Sequence, residues 1–193
     1  AHVLPDHVSD EAAVFVEPAA CVLRGVERSG ITAEGTAVVL GGGSMGLLHL
    51  LVLRAALPGV KVVVIDPVAA RRELALELGA SKATPPGDEA LVAVQSLTNN
   101  TSADSVFDTV GGNRTLQAGL DLSRQGGSIV LFAHAGDGER ADFDLNDLFK
   151  YERRILGTYS GAVKEQVGIF DLIKSGALDP TPLVTHSMPL DDF

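Results

Sequence analysis

The sequence carries one cysteine, Cys21, so no disulfide can close within the chain and no cysteine-based zinc cluster can form from it alone. A lone thiol fits a reducing compartment, and a cytoplasmic location is the expectation. The five histidines, His2, His7, His49, His134 and His186, never fall into an H-x-x-x-H spacing, so no metal set can be read from them. Positive charge is scarce as well. There are 15 Lys and Arg against 25 Asp and Glu, a net charge of −10, and the basic residues nowhere form a block. That balance argues against nucleic acid or an anionic membrane surface as partner. The opening AHVLPDHVSDEAA has no basic start leading into an apolar core, which argues against a secretory signal. An uncharged run covers the seventeen residues Ala37 to Leu53, but three consecutive glycines interrupt it and it falls short of a membrane span. No internal repeat or low-complexity tract is present.

What the chain does have is 46% hydrophobic residues and 21 glycines spread over 193 positions. This suits a globular α/β protein of one domain with flanking segments, or a domain and part of another. The organising stretch is Thr36 to Asp66. An apolar β-type run, Ala37 to Leu40, leads directly into Gly41-Gly42-Gly43-Ser44-Met45-Gly46, which satisfies G-x-G-x-x-G through Gly41, Gly43 and Gly46. The first glycine turns the chain off the strand, the second lets the backbone approach a pyrophosphate, and the third lets the helix lie close to the strand. The helix start then offers its N–H groups and positive dipole end to phosphates. Leu48, Leu51, Val52 and Ala55 form the helix stripe, Pro58-Gly59 stops it, and Lys61 to Ile65 is a second strand ending in Asp66. That acid lies twenty residues beyond Gly46, where a dinucleotide-binding unit places a carboxylate on the adenosine ribose. An acid there also repels a 2′-phosphate, which favours NAD over NADP, with Arg71 and Arg72 as the groups that could accept that phosphate.

Along the rest of the chain, Ala12 to about Gly25 reads as a helix broken or kinked near Pro18. A helix is expected over Val68–Leu78, a strand over Lys82–Thr84, a helix over Asp88–Leu97 and a strand over Asp104–Val110. A helix then runs to Leu122, and Ser128–Ala133 is the strongest strand. Gly136–Glu139 reads as polar loop and Phe143–Phe149 as irregular. Arg154–Ser160 is expected as a sixth strand. Val163, Val167 and Phe170 mark the apolar face of a last helix, and Leu183–Ser187 is a further short strand. The alternation predicts an α/β fold, a doubly wound parallel six-stranded Rossmann sheet with helices on both faces.

With this order in view, the chain resembles the cofactor-binding domain of the medium-chain dehydrogenase/reductases, the zinc-containing alcohol dehydrogenase superfamily, in its sorbitol-dehydrogenase-like branch. The resemblance rests on Glu17-Pro18 in VEPAACVLRGV, the glycine loop 24 residues later, VVVIDPVAARRELALELGAS, VFDTVGG, GGSIVLFAHA, RRILGTYSG and LVTHSMPLDDF. It implies NAD as cofactor at Gly41, Gly43, Ser44, Met45 and Gly46, with Asp66 on the adenosine ribose and Arg71 beside it. It puts Thr109 and Val110 against the ribose and nicotinamide, and the backbones of Leu131, Ala133, Thr158 and Ser160 against the carboxamide. Glu17 matches the acid that the branch places beside, or on, the catalytic zinc, and Cys21 could face the nicotinamide, although by its residue type it reads first as a small buried apolar side chain rather than a ligand or nucleophile. The resemblance divides the chain into a linker and helix over 1–30, the dinucleotide-binding domain over 31–180 and a return segment over 181–193. The remaining zinc ligands would come from a GroES-like domain outside this sequence, so zinc is expected only in a full-length protein and the isolated chain is expected to be inactive. The implied partners are the dinucleotide, a small alcohol or carbonyl substrate, and a second copy of the chain docked through the sixth-strand edge, Asp142 to Ser160.

Three other readings bear on the same residues. A zinc-independent NADPH quinone or enoyl reductase relative would share the cofactor domain, and a non-catalytic dinucleotide-binding module would need nothing more. A short-chain dehydrogenase would need Y-x-x-x-K, but Tyr151 is followed at that offset by Ile155 and Tyr159 by Val163.

Overall fold

Among the described residues, six strands form one sheet: β1 (Thr36–Leu40), β2 (Lys61–Ile65), β3 (Lys82–Thr84), β4 (Ala103–Asp108), β5 (Ser123–Leu131) and β6 (Arg154–Gly157). Their order is β3-β2-β1-β4-β5-β6 and every neighbouring pair is parallel. The helices are α1 (Asp10–Ala13), α2 (Val16–Ser29), α3 (Ser44–Ala56), α4 (Ala69–Glu77), α5 (Asp88–Leu97), α6 (Asn113–Leu122), α7 (Leu145–Tyr151) and α8 (Val163–Lys174). These come from a computed structural model, which describes residues 3–189.

The strands are apolar on both faces because both faces are covered. Ala37, Val39, Val62, Val64, Phe107 and Val130 point into one core with residues of α2, α3, α4 and α8. Their neighbours Val38, Leu40, Val63, Ile65 and Val106 point the other way, against Ala90, Ala93 and Val94 of α5 and Leu122 of α6. α3 is sandwiched between the sheet and α2, so its burial spreads around the helix, with Leu47, Leu48, Leu50, Val52 and Leu53 all below 5% exposed. The reversal of strand order falls between β1 and β4, and a crevice opens at the carboxyl ends of these strands, where ligands of such sheets bind.

Several local expectations are corrected. Pro18 does not break a helix: it lies in the first turn of α2, where its missing N–H needs no partner. The interruption comes earlier, at Val14-Phe15, between α1 and α2. Residues 145–151 are helical, with the Asp144 carboxylate accepting from Asn146 N–H at the N-cap. β4 stops at Asp108, β5 starts at Ser123 and ends at Leu131, and β6 ends at Gly157. β5 starts early because a register shift between Ala103 and Ser105 absorbs the extra residues around Gly126-Gly127. The buried face of α8 is Glu165, Ile169 and Ile173, while Val163 and Val167 are exposed. A 3-10 turn covers Thr181–Leu183, and residues 184–189 join no strand. Residues 1–2 and 190–193, which include His2 and most of the PLDDF motif, lie outside the described residues.

Candidate dinucleotide-binding site

The three glycines that end β1 do different work. Gly41 has φ +97°, and a Cβ there would stand 2.7 Å from Thr109 Oγ1 and 2.8 Å from Val110 Cγ2. At Gly46 an added Cβ would sit 1.8 Å from the Gly41 carbonyl oxygen, so the α3 backbone rests directly on the turn. The protein itself therefore demands both. Gly43, the N-cap of α3, is different: its φ of −75° suits any residue, and an added Cβ would meet nothing within 4 Å. Neither backbone strain nor packing explains this glycine, and the space its missing side chain leaves lies outside the protein. Among the described residues no side chain caps the α3 N-terminus, so the amides of Ser44, Met45 and Gly46 face that space with the positive end of the helix dipole.

Asp66 ends β2 beside this turn and is 2% exposed. Its Oδ2 accepts from Gly42 N–H at 2.7 Å and its Oδ1 from Val68 N–H at 2.8 Å, while Arg71 Nη1 approaches Oδ2 at 3.5 Å. A carboxylate has about four acceptor positions, so capacity remains for a ligand hydroxyl. Arg71 is half exposed. Arg72 is held by two carbonyls, donating to Asp66 O and Pro67 O at 2.8 and 2.9 Å, which fixes the turn. Gly41, Asp66, Arg71 and Val110 line a cleft of about 930 Å³ with Pro86 and Arg114.

At the end of β4, Thr109 Oγ1 donates to Leu40 O at 2.7 Å and ties the β4 turn to the glycine loop. Asp108, 1% exposed, accepts from Val110 N–H, Gly111 N–H and the Thr115 hydroxyl, at 3.0, 2.9 and 2.7 Å. Its donors all belong to its own turn and the start of α6. α6 begins after Gly111-Gly112, and its first amide, Asn113 N–H, donates to Glu139 Oε1 at 2.7 Å. The second oxygen of Glu139 accepts from Gly136 N–H at 3.2 Å.

Leu131, Ala133, Thr158 and Ser160 come together at the ends of β5 and β6 around a second cavity of about 490 Å³, shared with Arg24 and His134. His134 packs its ring edge-on to Tyr159, with centroids 6.0 Å apart. The backbone there is pinned by Thr158 N–H on Leu131 O at 3.1 Å. On α2, the Cys21 thiol donates to Glu17 Oε1 at 3.3 Å, and its sulfur accepts from Gly161 N–H at 3.2 Å. Burial raises the Cys21 pKa above its ordinary value, so the sulfur is held as a thiol. Glu17 lines neither cavity. Among the described residues no three His, Cys, Asp or Glu side chains gather as a metal set, so these residues do not by themselves fit a zinc ion. His49 is a packed histidine: fully buried, it donates from Nδ1 to Met45 O at 2.7 Å and stands edge-on to Phe132.

Of the expected residues, Gly41, Asp66, Arg71 and Val110 line one cavity and Leu131, Ala133, Thr158 and Ser160 the other, while Gly43, Ser44, Met45, Gly46, Thr109 and Glu17 line neither. Sequence reasoning missed Arg114, which occupies the first turn of α6 just after a glycine pair, a position that could have been inspected. It also missed Glu139, whose partner Asn113 is too far away in sequence for local spacing to reveal.

Residues 45–175 match the family described as zinc-binding dehydrogenase. The chain is 31% identical over 192 residues to a 2-dehydro-3-deoxy-L-galactonate 5-dehydrogenase of Pseudoalteromonas atlantica, covering 100% of this chain and 55% of that protein. It is 28% identical to the sorbitol dehydrogenase of Ovis aries, covering 97% of this chain and 53% of the relative. Among solved structures, a putative zinc-binding dehydrogenase of Sinorhizobium meliloti bound to NADP superposes with a TM-score of 0.82 at 29% identity, over 91% of this chain and 52% of that one. The chain spans about half the length of the curated relatives it matches. A glycine turn open to the outside, an acid beside it at the switch point, and a match across most of the sequence agree: the chain belongs to the zinc-binding dehydrogenase family.

Proposed function

We propose that this chain is the NAD-binding part of an alcohol or polyol dehydrogenase. The observation that carries the reading is Gly43, a glycine that neither strain nor packing requires, at an uncapped helix N-terminus. There the first-turn amides of α3 hold the pyrophosphate, Asp66 accepts from the adenosine ribose, and Arg71 lies over that end. Thr109 and Val110 lie along the nicotinamide ribose. The backbones of Leu131, Ala133, Thr158 and Ser160 hold the carboxamide and fix which face of the ring meets substrate. When bound, the dinucleotide supplies the hydride acceptor or donor. Asp66 favours NAD because a 2′-phosphate beside a buried carboxylate is repelled, though the Sinorhizobium relative was crystallised with NADP. Glu17 is offered as one donor to a zinc ion whose other ligands lie outside this chain. The division into a leading helix over 1–30, a dinucleotide-binding domain over 31–180 and a return segment from 181 belongs to the same reading.

Two further parts of the reading concern the protein's setting. No helix among the described residues is long and apolar enough to cross a membrane; the cytoplasmic location belongs to this proposal and is supported by the single cysteine, which suits a reducing compartment. β6 is a sheet edge, and Leu145 and Phe149 of α7 are 74% and 83% exposed, which supports pairing of two copies there. A monomer in sedimentation at micromolar concentration would overturn the dimer.

The function is tested by titrating the chain with NADH and NADPH and following nicotinamide fluorescence, with Asp66→Ala in parallel. NADH should bind more tightly than NADPH, and the variant should lose about tenfold in NADH affinity and most of the preference. Binding of neither dinucleotide would overturn the assignment.

A further inference from the structure

We infer that Cys21 is a positioning residue that ties the α2 carboxylate Glu17 to the backbone segment Thr158–Ala162. The inference rests on the reading of that segment as the nicotinamide end of the site. The segment leaves the sheet at Gly157 and enters α8 at Val163, so it is irregular and needs anchors. Thr158 N–H bonds to Leu131 O at 3.1 Å, and Ala162 N–H to Glu165 Oε2 at 2.8 Å. Between these anchors the peptide of Ser160 and Gly161 is held from α2, by Gly161 N–H on the Cys21 sulfur at 3.2 Å.

The same sulfur donates its S–H to Glu17 Oε1 at 3.3 Å. A thiol can serve both neighbours at once, as a weak donor to one and a weak acceptor from the other. The carboxylate turns the S–H toward itself, and the sulfur lone pairs are left for the amide. The backbones are built for this approach. A Cβ at Gly161 would stand 2.8 Å from the Ala20 carbonyl carbon and 3.0 Å from Cys21 N, so any other residue would lift the segment off α2. Arg24, one turn further along α2, adds a second tie through Glu165 at 3.8 Å. Displacement of Gly161 would therefore be felt at Ser160 and at the Glu17 carboxylate together.

The test compares Cys21→Ser, which keeps a donor and an acceptor, with Cys21→Val, which keeps the volume and has neither. NADH affinity is read by nicotinamide fluorescence, Gly161 amide exchange by NMR, and Tm without cofactor by circular dichroism. Cys21→Ser should stay within about twofold of the parent. Cys21→Val should bind NADH about fivefold more weakly and exchange the Gly161 amide faster, at an unchanged Tm. Parental NADH affinity in Cys21→Val overturns the inference whatever Gly161 does. If the valine variant does not fold, Cys21→Ala is read in the same way. Failure of the parent to bind NADH overturns the cofactor reading instead, so the two failures are distinguishable.

Discussion

Two helices of this sheet, α3 and α6, begin in the same way and end up with opposite fates. Each follows a central strand, each is entered through glycines, and each points its amino end at the crevice where the strand order reverses. At α6 the protein fills the position with its own anion, Glu139, whose carboxylate takes the first amide at 2.7 Å. At α3 no side chain among the described residues does so, and the N-cap glycine faces open space. The two neighbouring acids repeat the contrast. Each accepts from three donors, but those of Asp108 all belong to its own turn and the start of α6 and it lies outside the cleft, whereas Asp66 lines the cleft and one of its donors is the half-exposed Arg71. Of these two ends only that of α3 is left open; α4 and α5 also lack a capping side chain, so an open end marks a place for an external anion only together with the glycine loop and Asp66 beside it.

The comparison can be broken at several strengths. Gly46→Ala forces a Cβ against the Gly41 carbonyl and should cost about 3 kcal/mol or more, read as a collapse of Tm or of soluble yield. A wild-type Tm in that variant would mean that α3 is not seated on the turn as described.

Next comes a pH effect within α3. Burial lowers His49 from its ordinary pKa of 6.5 to about 4 in the folded chain. The unfolded chain therefore binds the proton first as pH falls. The contribution of a neutral His49 is complete above about pH 6.5 and is lost progressively toward pH 4, in total of order 3 kcal/mol. Denaturant melts across this window should show the loss, and His49→Leu should remove that part of the slope. An identical slope in the variant would sink the assignment.

Gly43→Val should leave Tm within a few degrees, since backbone and space both permit it, and should weaken NADH about 100-fold. Undiminished binding would remove the main support for an external anion at α3. The mildest test is Glu139→Ala, which bares the α6 amide and should cost about 1 kcal/mol with NADH affinity unchanged. A large loss of binding would show that the two ends are not distinct in function.

How much of this was legible beforehand depends on how local each cause is. The glycine loop and Asp66 could be read because their spacing is set by one strand, one turn and one helix. The sheet followed from the apolar runs of its central strands, Ala37–Leu40, Val62–Ile65 and Ile129–Leu131, alternating with helical stretches. α7 was missed although Asp144 stands at its N-cap and Leu145, Leu148 and Phe149 keep an i, i+3, i+4 spacing: seven residues, none fully buried, are too few for that pattern to stand out. The face of α8 was misread because its buried row opens with Glu165, a residue that looks solvent-facing until its bonds to Ala162 and Arg24 are seen. Pro18 looks like a breaker unless the helix start is known to lie two residues before it. Glu139 on Asn113, Cys21 on Gly161 and Thr109 on Leu40 join distant segments, and no single-sequence pattern announces them.

The position of β1 has a consequence for the way the protein is made. This strand lies at the centre of the sheet, paired through Val38 with Val63 on one side and Val106 on the other, yet it precedes both partners in the sequence. A growing chain that has passed Ile65 but not Ala103 holds β1 with one row of backbone groups unpaired and its β4 side uncovered. Such an edge is a template for unwanted pairing during synthesis. Ribosome-bound chains of this length should therefore be the ones that most need a chaperone, and release from it should coincide with the emergence of β4.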